Sequence, residues 1–385
     1  MNFTGVNLDL QGVMKRTYSN LLYQSNFYKF LNRGFFEVGR TGTPIIEVIK
    51  QTDTKLNVRD NVEIGDGGVT NELAKYQSIK VDLTELPMDY SFRVSPIVMG
   101  SGIERAIEGQ MDLKDSQIAR QIDVYGFGKL NSKITGPMDG SMAYTDGQIT
   151  KWAPTTGDEV IEFINDCKAK LFDRDVYDGY LLGLSSTNYA FFVSKITSIL
   201  KYETRAGVEG VDMGEVANAY GVSIFQINSN VLKNKNGEDT NVAGYFGHEV
   251  ATVGDTFWSS MAQYDGNYPK FPGYFVLEGN IMFGAEVVRP EAIIKLVESI
   301  PTVNAGSFDA GKVGEAYNQT TAFSGEEVAK FQAGGLPAGL SLNETTGAVT
   351  GEPTEAGTYN VSVYGIDKYG NYSNAYNGTI EIAAA

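Results

Sequence analysis

Apolar and polar positions along this chain change period several times, and each change marks an element. Within residues 43–92, Ile46 and Val48 alternate with polar neighbours, and so does the run Ser78-Ile79-Lys80-Val81-Asp82-Leu83-Thr84. A period of two predicts strands. Between them lies NVRDNVEIGDGGVTNE, where Gly65-Asp66-Gly67-Gly68 is a turn signal. The pattern is a long two-stranded excursion with a polar tip. An isolated hairpin is marginal in water, so such an arm needs a surface to lie on, for instance a neighbouring subunit. Ahead of it, Leu21, Leu22, Phe27, Phe30 and Leu31 crowd one side at roughly helical spacing and predict a helix over 18–33.

From residue 101 the period lengthens. Ser101-Gly102-Ile103-Glu104 fits a capping box, and Ile103, Ile107, Met111, Ile118, Ile122 and Tyr125 then recur at helical spacing. Leu113 and Ala119 widen the stripe. A long helix is predicted to about residue 127, where Gly126 and Gly128 loosen the pattern. Glu104, Arg105, Glu108, Asp112, Lys114, Asp115, Arg120 and Asp123 suit its exposed face. A second capping box, Thr156-Gly157-Asp158-Glu159, precedes Val160, Ile161, Ile164, Cys167, Ala169 and Leu171. Tyr180-Leu181-Leu182-Gly183-Leu184 reads as a buried strand, 185–200 as a helix, and 222–227 and 274–277 as strands. A helix is predicted over 255–264, carrying Phe257, Trp258 and Met261. Helices and strands do not alternate regularly enough for a doubly wound sheet.

Pro301 marks a shift to short alternating strands rich in Gly, Thr, Asn and Ala, with Tyr359, Val361 and Val363 on one face. Thr346-Gly347, Gly351-Glu352-Pro353 and Gly357-Thr358 are turn signals. The last stretch reads as a small antiparallel sandwich.

Composition adds limits. A chain of 385 residues suits two or three domains. The net charge is -16, and the stretch from Pro301, with 3 Lys and 9 acidic residues, carries -6 of it. Both parts are acidic, so neither attracts nucleic acid as a whole. Cys167 is the only cysteine, which excludes an intrachain disulfide. The opening MNFTGVNLDLQGVMKRTY lacks the apolar core of a secretory signal, and no run approaches a membrane span. Folding in a cytoplasm is expected.

Candidate chemistry is sparse. His248 is the only histidine, and nothing near it in sequence supplies a nucleophilic partner, so it reads as structural. Cys167 falls on the apolar side of its helix and reads as a small buried hydrophobe. Zinc needs about four Cys or His ligands, more than the chain possesses. Gly65-Asp66-Gly67-Gly68 lacks the lysine and following helix of a phosphate loop. Asp53, Asp60, Glu63 and Asp66 read as a solvated loop tip. Asp367 lacks the spacing of a calcium loop. Asn318, Asn343, Asn360, Asn371 and Asn377 lie in glycosylation sequons, which in this composition reflect strands and turns. The expectation is no catalytic, cofactor-binding or metal residue, and no enzyme.

The order of parts over the first 300 residues resembles the major capsid proteins of tailed bacteriophages, the Hong Kong 97-type fold. The similar phrases are a long helix ending in Arg120-Gln121-Ile122-Asp123-Val124-Tyr125, a helix over 158–172, and a strand-to-helix segment over 176–189. The closing phrases are Ala219-Tyr220-Gly221-Val222-Ser223-Ile224-Phe225 and Gly279-Asn280-Ile281-Met282-Phe283-Gly284-Ala285-Glu286-Val287-Val288-Arg289-Pro290-Glu291. The last part resembles the putative-Ig, cadherin-like family. It does so through Leu336-Pro337-Ala338-Gly339-Leu340-Ser341-Leu342, Thr346-Gly347-Ala348-Val349-Thr350-Gly351-Glu352-Pro353 and Gly357-Thr358-Tyr359-Asn360-Val361-Ser362-Val363.

These resemblances imply an α+β capsid fold plus an all-β immunoglobulin-like sandwich. The implied parts are an N-terminal arm (1–42), an extended loop (43–92), a peripheral domain with a spine helix (93–140, rejoined by 274–300), an axial domain (141–273) and the immunoglobulin-like domain (301–385). They imply a structural subunit that self-assembles, as hexamers and pentamers, into the icosahedral head shell around phage DNA. Implied partners are a portal, decoration proteins, DNA by non-specific proximity and host-surface glycans. Too little chain precedes the extended loop for a cleaved scaffolding segment, so a separate scaffolding protein is implied. The location is the virion capsid, assembled in the host cytoplasm. The sandwich would project from the shell on a surface linker, and its deletion would leave assembly intact. The alternative is a bacterial cell-surface, adhesin-type binding protein, which leaves the first 300 residues unexplained.

Overall fold

The computed structural model describes residues 8–32, 45–52, 75–95, 103–134, 148–203, 215–219, 221–233, 240–265, 267–304, 307–319 and 322–385. Helix α1 (Leu10–Gln24) starts at Asp9, whose side chain accepts from the Gln11 amide. It ends at Ser25, which is extended, and a single 3-10 turn (Phe27–Phe30) leads into strand β1 (Leu31–Asn32). The helix expected over 18–33 is therefore two pieces. Phe27, Phe30 and Leu31 are buried, but in the turn and strand after the break.

Strands β2 (Ile45–Thr52) and β3 (Lys75–Asp82) pair antiparallel, Ile45 opposite Asp82 and Thr52 opposite Lys75. Residues 53–74, with the expected turn and acidic tip, lie outside the described residues. The foot of this hairpin is anchored: Val48, Val81 and Leu83 share a core with Val253 and Val288. Strands β4 (Leu86–Asp89) and β5 (Phe92–Val94) follow.

Helix α2 (Ile103–Lys133) has 31 residues, about 46 Å at 1.5 Å per residue. Ser101, its expected cap, lies outside the described residues. Ile107, Met111, Ile118, Ala119 and Ile122 are buried along one stripe, whereas Leu113 is half exposed and does not belong to it. The helix outruns its expected end because Phe127 and Leu130 continue the stripe. Gly128 costs roughly 1 kcal/mol at most against this burial.

Strand β6 (Ile149–Lys151), helix α3 (Gly157–Phe172), strand β7 (Tyr180–Ser185), helix α4 (Ser186–Glu203) and strands β8 (Glu215–Ala219), β9 (Val222–Ile227) and β10 (Val242–Gly247) come next. Thr156 caps α3 by accepting from the Glu159 amide, while the Glu159 carboxylate reaches back to the Thr155 amide at 2.6 Å.

Strands β11 (Thr252–Asp265) and β12 (Phe275–Val287) form a long antiparallel hairpin. The helix expected over 255–264 is thus a strand. The pairing register shifts between Trp258 and Ser260. Such a bulge breaks the period of two, which leaves Phe257, Trp258 and Met261 at a spacing that imitates a helix. Strand β13 (Ile293–Val297) completes the body.

Two compact units result. The first holds Met1–Tyr125 and Val250–Val288; the second holds Gly126–Glu249 and Arg289–Ala385. In the first, β12 sits between β11 and the short strands β4 and β5, and β1 lies parallel on β11. In the second, six strands run in the order β6-β13-β10-β7-β9-β8. The sheet contacts therefore group β11 with the first unit and β13 with the second.

The second unit ends in a sandwich of short strands: β14 (Thr302–Asn304), β15 (Gly311–Lys312), β16 (Tyr317–Asn318), β17 (Ser324–Glu326), β18 (Lys330–Gly334), β19 (Leu340–Leu342), β20 (Val349–Gly351), β21 (Gly357–Ile366) and β22 (Tyr376–Ala383). Its sheets run β15-β22-β21-β18 and β16-β20-β19, with β14 on β17. Tyr317, Phe323, Phe331, Val349, Val361, Val363, Ile380 and Ile382 fill its core. Gly339 and Gly351 have φ of 92° and 140°, and a Cβ on Gly351 would strike the Gly339 backbone. Both glycines of the sequence motif are there for backbone approach.

A close approach also fixes the extended hairpin. A methyl on Gly284 would run into the Asp82 carbonyl and the Leu83 Cα. Gly284→Ala is expected to cost about 2–3 kcal/mol in urea unfolding, because backbone cannot yield as a side chain does. A loss below about 0.5 kcal/mol would show that the approach is slack.

Candidate assembly surfaces

The first unit fastens its N-terminal segment to α2 through carboxylates. Asp123 accepts from Ser25 Oγ at 2.5 Å, from the Phe27 amide at 2.9 Å and from the Asn26 amide at 3.2 Å. Those two amides open the 3-10 turn, where backbone donors have no partner within the turn. Asp115 accepts from Asn20 Nδ2 at 2.6 Å, and Arg16 pairs with Asp112 at 2.6 Å on the exposed rim. The exposed pair contributes little. Phe27 and Tyr28 then pack on Phe283, which Tyr125 of α2 also meets edge-on at 5.8 Å.

Asp115 and Asp123, expected on the exposed face of α2, are 0% and 5% exposed. They fall on one i, i+4, i+8 row with buried Ala119. That row borders the apolar stripe, and this is the signal by which sequence could have found them.

Exposed apolar groups mark both units. In the first, aromatic rings line the end of the β11–β12 hairpin: Tyr264 to Tyr268 at 5.0 Å, Tyr268 stacked on Phe271 at 6.1 Å, and Phe271 to Tyr274 at 6.3 Å. The Arg93 guanidinium lies 4.1 Å from the centre of the Phe271 ring. Arg93, Tyr268 and Phe271, together with Phe92 and Glu278, border a cleft of about 290 Å³. In the second unit, Phe172 and Tyr177 are 56% and 60% exposed and meet edge-on at 4.9 Å. They border a cleft of about 440 Å³ with Lys168, Asp178 and Gly221. Phe271, Phe172 and Tyr177 are the exposed members of these two groups, and they make small apolar patches that can serve as contact points.

The residues singled out for chemistry lie elsewhere. Cys167 is wholly buried on α3 with Val160, Ile164 and Leu171, and burial pushes its thiol up to about 12. A thiol held so high is not a nucleophile. The His248 ring packs against Gly179, whose φ of 65° and missing side chain make room for it. Both Asp367 oxygens serve its own loop, accepting from the Tyr369 and Asn371 amides at 2.8 Å and from Asn371 Nδ2 at 2.9 Å. Asn371 is 0% exposed, and Asn343 caps a turn at Thr345 and Thr346, so both sequon side chains do structural work. Among the described residues, no three His, Cys, Asp or Glu side chains gather in a way that could hold a metal ion. Among the described residues, no helix is long and apolar enough to cross a membrane.

Residues 297–382 match the family described as "Putative Ig domain". The chain is similar in structure to one from Mycobacterium phage Che8, at 16% identity and a TM-score of 0.47, over 71% of this chain and 91% of that one. It is similar to a capsid chain of the cyanophage P-SCSP1u, at 13% identity and a TM-score of 0.48, over 67% of this chain and 84% of that one. A capsid chain of Ralstonia phage GP4 gives 13% identity and a TM-score of 0.47, over 71% of this chain and 90% of that one. Among curated proteins, no sequence matches it.

Burial is the largest influence on Asp123 and lifts its carboxyl from 3.8 to about 6, against the bonds from Ser25, Phe27 and Asn26 and the Lys29 charge. The native chain therefore holds this proton more tightly than the unfolded chain. Stability from this group is greatest below about pH 4 and falls as pH rises to about 6, by at most about 1.4 kcal/mol per pH unit. Asp123→Asn should remove that slope. Urea unfolding of both chains from pH 4 to 7 should show wild type losing ground to the variant as pH rises; parallel curves would refute the assignment.

Proposed function

We propose that this chain is a major capsid protein of a tailed bacteriophage, a structural subunit of the head shell and not an enzyme. The observation that carries the reading is the order of its elements. An N-terminal segment is fastened to a 31-residue helix; an extended two-stranded hairpin is rooted in the same unit; a mixed six-stranded sheet follows; and the chain returns through a long hairpin. This is the layout that the sequence resemblance implies. The exposed aromatic groups on both units and the β6 and β8 edges of the six-stranded sheet, which pair with no further strand among the described residues, supply surfaces for other copies.

In this reading the copies form hexamers and pentamers in an icosahedral shell, assembled in the host cytoplasm with a separate scaffolding protein. A portal and decoration proteins complete the head, and packaged DNA lies near the shell without specific recognition. The immunoglobulin-like sandwich is displayed on the virion surface for weak attachment to glycans or the host surface. Many copies convert a poor affinity into firm attachment.

Negative-stain microscopy of the chain expressed with its scaffolding protein tests the shell directly: closed particles are expected, and a strictly monomeric chain sinks the reading. A second test uses Phe172→Ser with Tyr177→Ser. Both side chains are exposed, so the melting temperature should stay within about 2 °C of wild type. The assembled fraction in sedimentation velocity should fall at least tenfold. Assembly at the wild-type level removes this pair from the contact surface.

A further inference from the structure

The second unit contains a lysine that its own sheet cannot account for. Lys295 stands in the middle of β13, in the run Ile293-Ile294-Lys295-Leu296-Val297, and is 0% exposed. Its ammonium donates to Asn131 Oδ1, near the end of α2, at 3.0 Å. Asn131 carries no charge. An ammonium taken out of water needs a counter-charge as well as hydrogen-bond acceptors.

The charge that acts on it belongs to Asp367 of the sandwich, and the path of the linker runs toward that residue's loop. Asn241 sits just before β10 with φ of 60° and grips the chain leaving β13. Its carbonyl accepts from the Glu298 amide at 3.0 Å and its Oδ1 accepts from the Ser299 amide at 3.2 Å. Its Nδ2 donates to the Ser299 carbonyl at 2.8 Å. Pro301 follows at once and is buried, and β14 begins at Thr302. Val303 of β14 lies over Gly365, next to the end of β21. The loop after β21, residues 367–373, is therefore at the end of the sandwich where the linker enters. Asp367, Asn371 and Ser373 in that loop are 6%, 0% and 5% exposed, and Asn371 Oδ1 is buried with no partner. Asp367 is the charge that favours the Lys295 ammonium, against the burial that brings it down to about 8.

We propose that the immunoglobulin-like sandwich is footed on the sheet of the second unit through its 367–373 loop, with Lys295 as the buried counter-charge and Asn241 as the clamp on the linker. The sandwich is then held in one orientation on each chain and does not swing on a tether. Lys295 is a positioning residue in this arrangement. It answers to the end of α2 on one side and to the sandwich on the other. The inference concerns a single chain and holds whether or not the chains build a shell.

Hydrogen exchange on the full-length chain tests it, with Lys295→Met, Asp367→Asn and the double variant. Asn at 367 keeps an oxygen for the Tyr369 and Asn371 amides, and loses the charge together with the acceptor for Asn371 Nδ2. In wild type, the Glu298 and Ser299 amides should exchange as slowly as those of β13. Each single variant should speed them at least tenfold, while the amides of Val361, Val363 and Ile380 stay protected, which shows that the sandwich remains folded. The double variant should be no faster than the faster single, because the two side chains serve one contact. Unprotected Glu298 and Ser299 amides in wild type overturn the proposal. So do single-variant effects that multiply, or an Asp367→Asn variant with no effect. If Lys295→Met fails to fold, Asp367→Asn alone decides.

Discussion

The structure depends first on a helix that keeps one face dry for its whole length. The buried stripe of α2 runs from Ile107 to Leu130 through Met111, Ile118, Ile122 and Phe127. Its residues up to Tyr125 belong to one compact unit and those from Gly126 to the other. Each of these side chains contributes roughly 1.5–3 kcal/mol when taken out of water. Most of a helix's stability in a protein comes from the tertiary packing of its apolar face, so α2 depends on this burial more than on propensity. Gly126 and Gly128 sit where the helix passes from one unit to the next. The stripe holds the helix together there in spite of them.

Along this same helix lie the buried charges that give the fold its register. Apolar packing alone tolerates sliding, because one methyl substitutes for another. Asp123 does not: it takes two amides and a hydroxyl from three consecutive residues, and only one placement of the N-terminal segment supplies them. Asp115 with Asn20 repeats the device two turns earlier on the same row. Burying a carboxylate costs several kcal/mol before its hydrogen bonds are counted, and the raised Asp123 carboxyl shows that the bonds do not fully offset that cost. The segment is thereby placed uniquely at some expense in stability. Tyr28 and Phe27 close over Phe283 only once that placement is made.

Much of this was legible in the sequence, and the failures have physical causes. The strands of the extended hairpin, the capping box at Thr156 and the stripe of α2 obey simple periods, and so they read correctly. The strand β11 did not, because its bulge displaces Phe257 and Trp258 from alternation, and a pattern argument cannot see a partner strand 20 residues away. The helix over 18–33 merged two elements because Ser25 ends α1 by bonding Asp123, a contact nearly a hundred residues distant in sequence. The glycine motif of the sandwich was recognisable as a motif, yet its reason, backbone against backbone at Gly339 and Gly351, is visible only in three dimensions. Lys295 does not stand out in the sequence, since a charge gives no sign there of a carboxylate 72 residues later that acts on it.

The exposed surfaces bear on function through their modest size. Phe172 with Tyr177 and the ring row from Tyr264 to Tyr274 are small patches, well short of a stable dimer interface, which buries about 1,200–2,000 Å² in total. A chain built to pair once would concentrate its apolar surface. Among the described residues this chain distributes it over separate elements of both units, so that in the proposed assembly no single contact would hold another copy firmly. Several weak contacts made simultaneously multiply their effect when geometry lets all of them close together. The rigid devices inside the chain then acquire a purpose. Carboxylates that fix the N-terminal segment and close-packed glycines that root the hairpin keep the first unit, with its ring row, in constant geometry. Without that, simultaneous engagement of the weak patches would be lost to conformational entropy.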